Sequence, residues 1–394
     1  MSYRLTVSLP PEGTLIRDLT VLSLVYVKEN VDEVEWQSDK VIVKAPSQGA
    51  VVDAFEALYE NAARVASGKA PRVKIGLLQN DRSVFSKLIG VQCDTYLDAV
   101  SSFLLAHKNK LNPDFLSSSL SHVSLGADEL ELGVGKKFPA LNLLVSEKYE
   151  RGLEFGRLNL KRKFDVRLDE EWYALVLSGL AFSVSSFIDN DLLLTCIPEH
   201  ALLVSHLRAL RVLEKAYVSL RDLHGKVSET IYSENVTLDP VPAFLLLLAL
   251  SLAKKASDLR ALHSLDRISF VFYKFRRSRN VFTLLGKHLV ELLDLVLFAA
   301  RLVEMSRELV SELVQVARRT IELTFRAPRE DEPDYTVYNR FCTLLVQAIQ
   351  GAYSIHEIVY YGARYGLISG ELAEGILHAS SQRGVLPAEG KGLL

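Results

Sequence analysis

Apolar and polar residues alternate through residues 3–9, the two-residue period of a strand with one buried face, and Pro10-Pro11-Glu12-Gly13 closes that run. A helical stretch over 14–29 follows. Two short runs at 33–36 and 40–45, separated by Gln37-Ser38-Asp39, have the length and composition of a hairpin. A second helix is expected from 46 to about 66, with Val51, Phe55, Leu58, Tyr59 and Ala62 on one face, and residues 72–77 read as a further strand. The order βαββαβ is the ferredoxin-like pattern, shared by RNA-binding, metabolic and regulatory domains alike. An RNA-reading version would set paired aromatics with glycine and bases on the central strands, and Val41-Ile42-Val43 offers none.

Further on, residues 85–91 and 96–107 read as helices, and irregular structure is expected to dominate 80–165, including the serine-rich 116–124. Asp169 is placed to cap a helix with Trp172, Leu175, Val176, Leu180 and Ser183 along one side. A strand at 192–197 follows the polar turn Asp189-Asn190-Asp191. Beyond Pro198 the period becomes helical, over 199–225, 242–262, 281–325 and 335–365, with a short helix near 370–380 before a glycine-rich tail. Within the longest stretch Leu289, Leu292, Val296, Ala299, Val303, Ser306, Val310, Leu313 and Ala317 recur at three- and four-residue steps, the seam of a bundle, with Gly286 a place for a kink. The expected fold class is α+β: an N-terminal α/β portion, ferredoxin-like over 1–78, a mixed α/β region over 79–197, and a C-terminal helical bundle over 198–394.

Length and composition agree with this division. At 394 residues the chain exceeds the size of a single hydrophobic core, and 49% hydrophobic with 24% charged residues is the balance of an ordinary globular protein. Three scattered cysteines (Cys93, Cys196, Cys342) fit neither a disulfide framework nor a zinc knuckle, which points to a reducing compartment. The N-terminus has no basic region followed by an apolar run, so no signal peptide is expected and the cytoplasm is the expected location. No membrane span is expected, because the apolar run at 241–253 is shorter than the roughly 20 residues a spanning helix needs. The net charge of −2 conceals segregation: residues 254–287 carry nine bases against Asp258 and Asp266, a local charge of about +7.

Motifs for catalysis are incomplete throughout. Gly133-Val134-Gly135-Lys136-Lys137 resembles a phosphate cradle, but the wrapping loop needs four residues between its glycines and Ser or Thr after the lysine. His356-Glu357-Ile358-Val359-Tyr360 opens like a zinc-protease helix, but Tyr360 stands in place of the second ligand, and the segment is read as a helix with a surface histidine. Asp189-Asn190-Asp191 lacks the further acids and the glycine of a calcium loop. No cofactor, metal site or catalytic residue is expected, and an enzyme would need residues that converge only in the folded chain.

The positive signal is the run from Ser269 to Asn280, which interleaves Phe270, Phe272, Tyr273 and Phe275 with Lys274, Arg276, Arg277 and Arg279. Bases can neutralise phosphates while Tyr273 and Phe275 stack on unpaired bases, the way single strands are held without sequence preference. Aromatics pointing into a core, with the arginines as a solvated rim, would produce the same run. A second basic cluster, Lys161-Arg162-Lys163 with Arg157 and Arg167, precedes the Trp172 helix.

Three segments in order carry a family likeness: Trp172-Tyr173-Ala174-Leu175 through Leu180-Ala181-Phe182-Ser183 and Leu192-Leu193-Leu194; the run around Tyr273 to Arg279; and Tyr338-Asn339-Arg340-Phe341 through Tyr360-Tyr361-Gly362-Ala363-Arg364-Tyr365. Together they resemble the large subunit of the archaeal type I-A CRISPR interference complex, the Cascade assembly. The likeness spans most of the chain and rests on pattern, with no short invariant motif. It implies a non-catalytic subunit for antiviral defence that works with a guide RNA and target DNA, contributing to recognition of the flanking motif and holding the separated strands. It also implies backbone and small subunits and a recruited nuclease-helicase as partners. Protein would then read the flanking motif and backbone shape while guide pairing reads sequence. Two other readings compete: a structural or regulatory protein-interaction scaffold, and an enzyme acting on RNA or nucleotides.

Overall fold

The computed structural model describes residues 3–27, 31–90, 92–126, 129–149, 165–198, 213–234, 238–255, 269–326, 328 and 332–381. It is an α+β chain, with sheets in the N-terminal part and helices gathered towards the C-terminus. The chain divides into two compact units, one of residues 1–228 with 269–290 and one of 229–268 with 291–394.

In the first unit β1 (Tyr3–Ser8), α1 (Leu15–Val27), β2 (Glu33–Trp36), β3 (Lys40–Ala45) and α2 (Gln48–Lys69) follow the expected order. β3 lies between β1 and β2 and runs antiparallel to both, so Val43 sits opposite Leu5 on one side and Val34 on the other. Alternation aims Leu5, Val7, Val34, Trp36, Val41 and Val43 at the core. Ser47 caps α2, its hydroxyl accepting from the Ala50 amide at 3.1 Å. This is the split βαβ of the ferredoxin-like pattern without its fourth strand. Residues 72–77 bury Val73, Ile75 and Leu77 as a strand would, but they lie against 94–96, with the Leu77 amide donating to Asp94 O at 2.9 Å and Tyr96 N to Ile75 O at 2.8 Å. Their period predicted extended backbone correctly; the partner is a neighbouring loop instead of β1.

The next stretch is more regular than expected. It forms α3 (Gln79–Ile89), α4 (Tyr96–Lys108), α5 (Pro113–Leu120), β4 (Val123–Leu125), β5 (Glu129–Leu132), β6 (Phe138–Pro139), a 3-10 helix (Asn142–Tyr149) and β7 (Asp165–Leu168). The strands make a sheet of order β4-β5-β7-β6, and the serine-rich segment is mostly α5 and β4. α6 (Glu170–Ser183) starts at Asp169, whose Oδ1 accepts from Trp172 N at 3.1 Å. Residues 171–183 are all buried, so α6 has no polar face and is the central helix of the unit, packed by α1, α2 and α4. Gly179 permits the α1 contact: a Cβ there would stand 2.1 Å from the Leu19 carbonyl oxygen.

β8 (Val184–Ile188) and β9 (Asp191–Cys196) form a hairpin whose turn residues Asp189 and Asn190 both have positive φ, 49° and 70°. α7 (Leu213–Glu234) follows, and of the helix expected over 199–225 the part before 213 lies outside the described residues. The principal departure from expectation comes at 269–291. These residues form β10 (Ser269–Ser278) and β11 (Val281–Glu291), and β10 pairs antiparallel with β9 to give a sheet of order β11-β10-β9-β8. The predicted bundle domain over 198–394 is therefore interrupted by a hairpin belonging to the first unit. The predicted 281–325 helix is a strand, then α9 (Leu293–Met305) and α10 (Arg307–Glu322), separated at Ser306. Leu289, the first seam position, lies on β11 and is 57% exposed; Gly286 lies in the same strand.

The second unit centres on α8 (Val241–Lys255), against which α9, α10 and α11 (Tyr335–Ile349) pack; α12 (Ile355–Arg364) and α13 (Gly370–Ser381) complete it. The expected 335–365 helix breaks between α11 and α12 at Gly351, where φ is 93°. No helix among the described residues is long and apolar enough to cross a membrane.

Candidate nucleic-acid interface

β10 is an inner strand covered on both faces, so its apolar run is nearly continuous and its aromatics are core. Tyr273 and Phe275 are fully buried and stacked on each other, centroids 6.0 Å apart. The Tyr273 hydroxyl donates to the Asp18 carboxylate, and the Lys287 ammonium stands 5.0 Å from the ring centroid. Neither ring can meet a base, which corrects the stacking role expected of both.

The basic residues separate into two groups. Lys274 is 8% exposed and lies 3.0 Å from Asp191, which also receives a two-pronged contact from Arg276, Nε to Oδ1 at 2.8 Å and Nη2 to Oδ2 at 3.0 Å. Burial pushes the Asp191 carboxyl up, but hydrogen bonds from Arg276 and Lys274 outweigh it and hold the group below its ordinary range. Lys274 is thus a structural partner of Asp191. The Arg276 guanidinium remains exposed while held in place. Arg277 lies against Gly76, where a Cβ would come within 3.3 Å of the guanidinium. Arg279 is exposed in the β10–β11 turn and makes no ion pair among the described residues. The β8–β9 turn lies at the same end of the sheet, its Asn190 carbonyl accepting from Arg277 N at 2.8 Å. This end therefore gathers Arg276 and Arg279 outside, Arg277 half-buried and Lys274 inside, against Asp189 and Asp191. Lys161, Arg162 and Lys163, with Arg157, lie outside the described residues; Arg167 is exposed on β7, 3.5 Å from Asp165.

The other motifs resolve into structure. The Gly133–Gly135 loop does cradle an anion, but that anion is the chain's own Asp169: Oδ2 accepts from Val134 N at 2.9 Å, Gly135 N at 3.0 Å and Ser119 Oγ at 2.7 Å. His356 is an exposed residue in the first turn of α12. Among the described residues no group of His, Cys, Asp and Glu is arranged to hold a metal. Burial pushes the Cys342 thiol up to about 12, far from reactivity.

A buried polar cluster in the first unit escaped the sequence reading. His224 Nε2 faces the Thr195 carbonyl at 2.8 Å, and Nδ1 faces the Tyr26 hydroxyl at 3.0 Å. A neutral ring protonated on Nε2 satisfies both contacts. Burial lowers its pKa to about 4. Lys69 extends from α2 so that its ammonium reaches the carbonyls of Ala181 and Phe182 at 3.1 Å, and also that of Val184, at the C-terminus of α6. Burial brings the Lys69 pKa down to about 7. Ser185, Thr195 and Ser228 close the cluster through their hydroxyls. Its members are spread from Tyr26 to Ser228, so no local motif could have announced it.

No protein-family model matches the chain. No curated protein matches it either. The third segment of the family likeness, 338–365, forms a surface on the second unit. Gly362 lets α12 close on α11, since a Cβ there would stand 2.6 Å from Phe341. Across this contact the Arg340 guanidinium lies 5.5 Å from the Tyr361 ring centroid; Tyr361 and Tyr365 are 4.7 Å apart, and Arg364 is 5.9 Å from Tyr365.

Proposed function

We propose that the chain is a non-catalytic nucleic-acid-binding subunit of an RNA-guided antiviral complex of the type I-A CRISPR kind. In the cytoplasm it would hold target DNA strands beside a guide RNA, alongside backbone and small subunits and a recruited nuclease-helicase. The observation that carries this reading is the end of the β8–β11 sheet, where exposed Arg276 and Arg279 and half-buried Arg277 stand against one exposed acid, Asp189, and Arg276 is held in place by Asp191. Guanidinia set on a strand end contact phosphates without reading base identity, which suits a subunit whose sequence information comes from a guide. Isolation of the native protein and sequencing of the nucleic acid that accompanies it tests the proposal. A short uniform guide RNA within a multi-subunit particle is the expected result. A protein that emerges without RNA or further subunits would remove the RNA-guided assignment.

A further inference from the structure

We infer that the α11–α12 surface is a second, independent contact site for single-stranded nucleic acid, one led by stacking where the sheet end is led by charge. The proposal does not depend on the arginines of that sheet end. Tyr360 is 67% exposed and Tyr365 41%, although a tyrosine gains by burial; Tyr360 lies on α12, whose buried side is formed by Ile358, Val359 and Gly362, and Tyr365 is its C-cap. Their surroundings leave room for a flat ligand: Ala363 is small and exposed, and nothing lies within 4 Å of a Cβ built on Gly366.

The pairing of exposed rings with guanidinia points to the occupant. Arg340 and Arg364 are exposed and make no ion pair among the described residues; their guanidinia lie 5.5 Å and 5.9 Å from the Tyr361 and Tyr365 ring centroids. Two exposed acids share these surroundings: Asp334 caps α11, accepting from Val337 N at 3.1 Å, and Glu357 lies in the first turn of α12. The face thus offers two guanidinia and exposed rings, with no exposed aliphatic anchor on α12 of the kind that centres a protein interface. Phosphates joined to flat bases supply both halves of that chemistry, and a single strand alone exposes its base faces.

Binding of a thymidine oligonucleotide to the full chain, compared with the same backbone lacking bases, tests the proposal. Tyr360→Ala with Tyr365→Ala should weaken the thymidine strand roughly 5- to 100-fold and leave the abasic strand unchanged, because only a base can stack. Tyr360→Phe with Tyr365→Phe should retain affinity. Arg340→Gln with Arg364→Gln should weaken both strands and lower the salt slope by about 1.4, from two phosphate contacts. All these side chains are on the surface, so the melting temperature should hold. Unchanged thymidine binding by the double alanine variant overturns the site, as does equal loss on both strands or a wild-type chain that binds neither. Loss of a co-purifying protein with nucleic-acid affinity intact would also overturn it, and would make the face a protein interface. The sheet-end variant Arg276→Gln, Arg277→Gln, Arg279→Gln should lose affinity for both strands alike, so failure of one site is distinguishable from failure of the other.

Discussion

Asp169 joins three pieces of the first unit through one carboxylate: it caps α6, fills the Gly133–Gly135 loop and accepts from Ser119 on α5. Removing it leaves two buried donors, Trp172 N and Ser119 Oγ, without an acceptor, each costing about 1–3 kcal/mol, and frees two part-buried loop amides as well. Asp169→Ala should therefore destabilise the chain by about 3 kcal/mol or more in denaturant unfolding, and Asp169→Asn by less, because the amide oxygen still accepts. A loss below 1 kcal/mol for the alanine variant would show that the loop finds other partners. His224 supplies a pH dependence whose sign follows from its depressed pKa. The unfolded ring binds a proton near pH 6.5 and the folded ring only near 4, so its contribution is complete above 6.5 and is lost as pH falls towards 4. The loss amounts to about 3 kcal/mol at 1.36 kcal/mol per pKa unit. Stability measured between pH 7 and 4 should fall less steeply for His224→Gln than for the parent chain, and parallel curves would refute the assignment.

Among elements, those fixed by local chemistry were readable and those fixed by distant partners were not. Asp169 marks the start of α6 because a cap is a contact with the next turn, and the 33–45 hairpin follows from two short strands around a polar turn. Residues 72–77 announce extended backbone, but a one-dimensional period does not contain the identity of the strand or loop alongside. The 281–325 stretch fails differently. Leu289, Leu292 and Val296 match a helical seam across the boundary between β11 and α9, and this outweighed the shorter alternation of buried Phe282 and Leu284 with exposed Thr283 and Leu285. Ser306, counted on that seam, is instead the hinge of two helices: its amide donates to Leu302 O at 3.0 Å and its hydroxyl accepts from Glu308 N at 3.1 Å. Ser306→Ala should cost about 1 kcal/mol as a lost N-cap. A continuous 293–322 helix would instead gain from the change, so a thermal melt discriminates between the two.

At the scale of the molecule, the candidate site was legible as charge and misread as aromatic chemistry, because composition cannot say that β10 is an inner strand. The run at 269–280 places its aromatics in a core and leaves three arginines at the end of a sheet, and each assignment predicts a different loss. Phe275→Ala should cost about 3–5 kcal/mol of folding stability, as for other buried Phe truncations, with no separate effect on nucleic-acid affinity while the chain is folded. Lys274 also belongs with the core, since its removal leaves Asp191 with Arg276 alone. The proposed phosphate-contacting set is then Arg276, Arg277 and Arg279, and on that proposal their replacement by glutamine should weaken binding to every single-stranded sequence alike. Each contact contributes roughly 0.7 to the slope of log K against log salt for single strands, so losing three should flatten that slope by about 2. The substituted positions are exposed or half-buried, and Asp191 keeps Lys274, so the variant should remain folded. A folded variant with the parent's affinity and salt slope would show that these arginines are a solvated rim, and would take the carrying observation away from the proposed function.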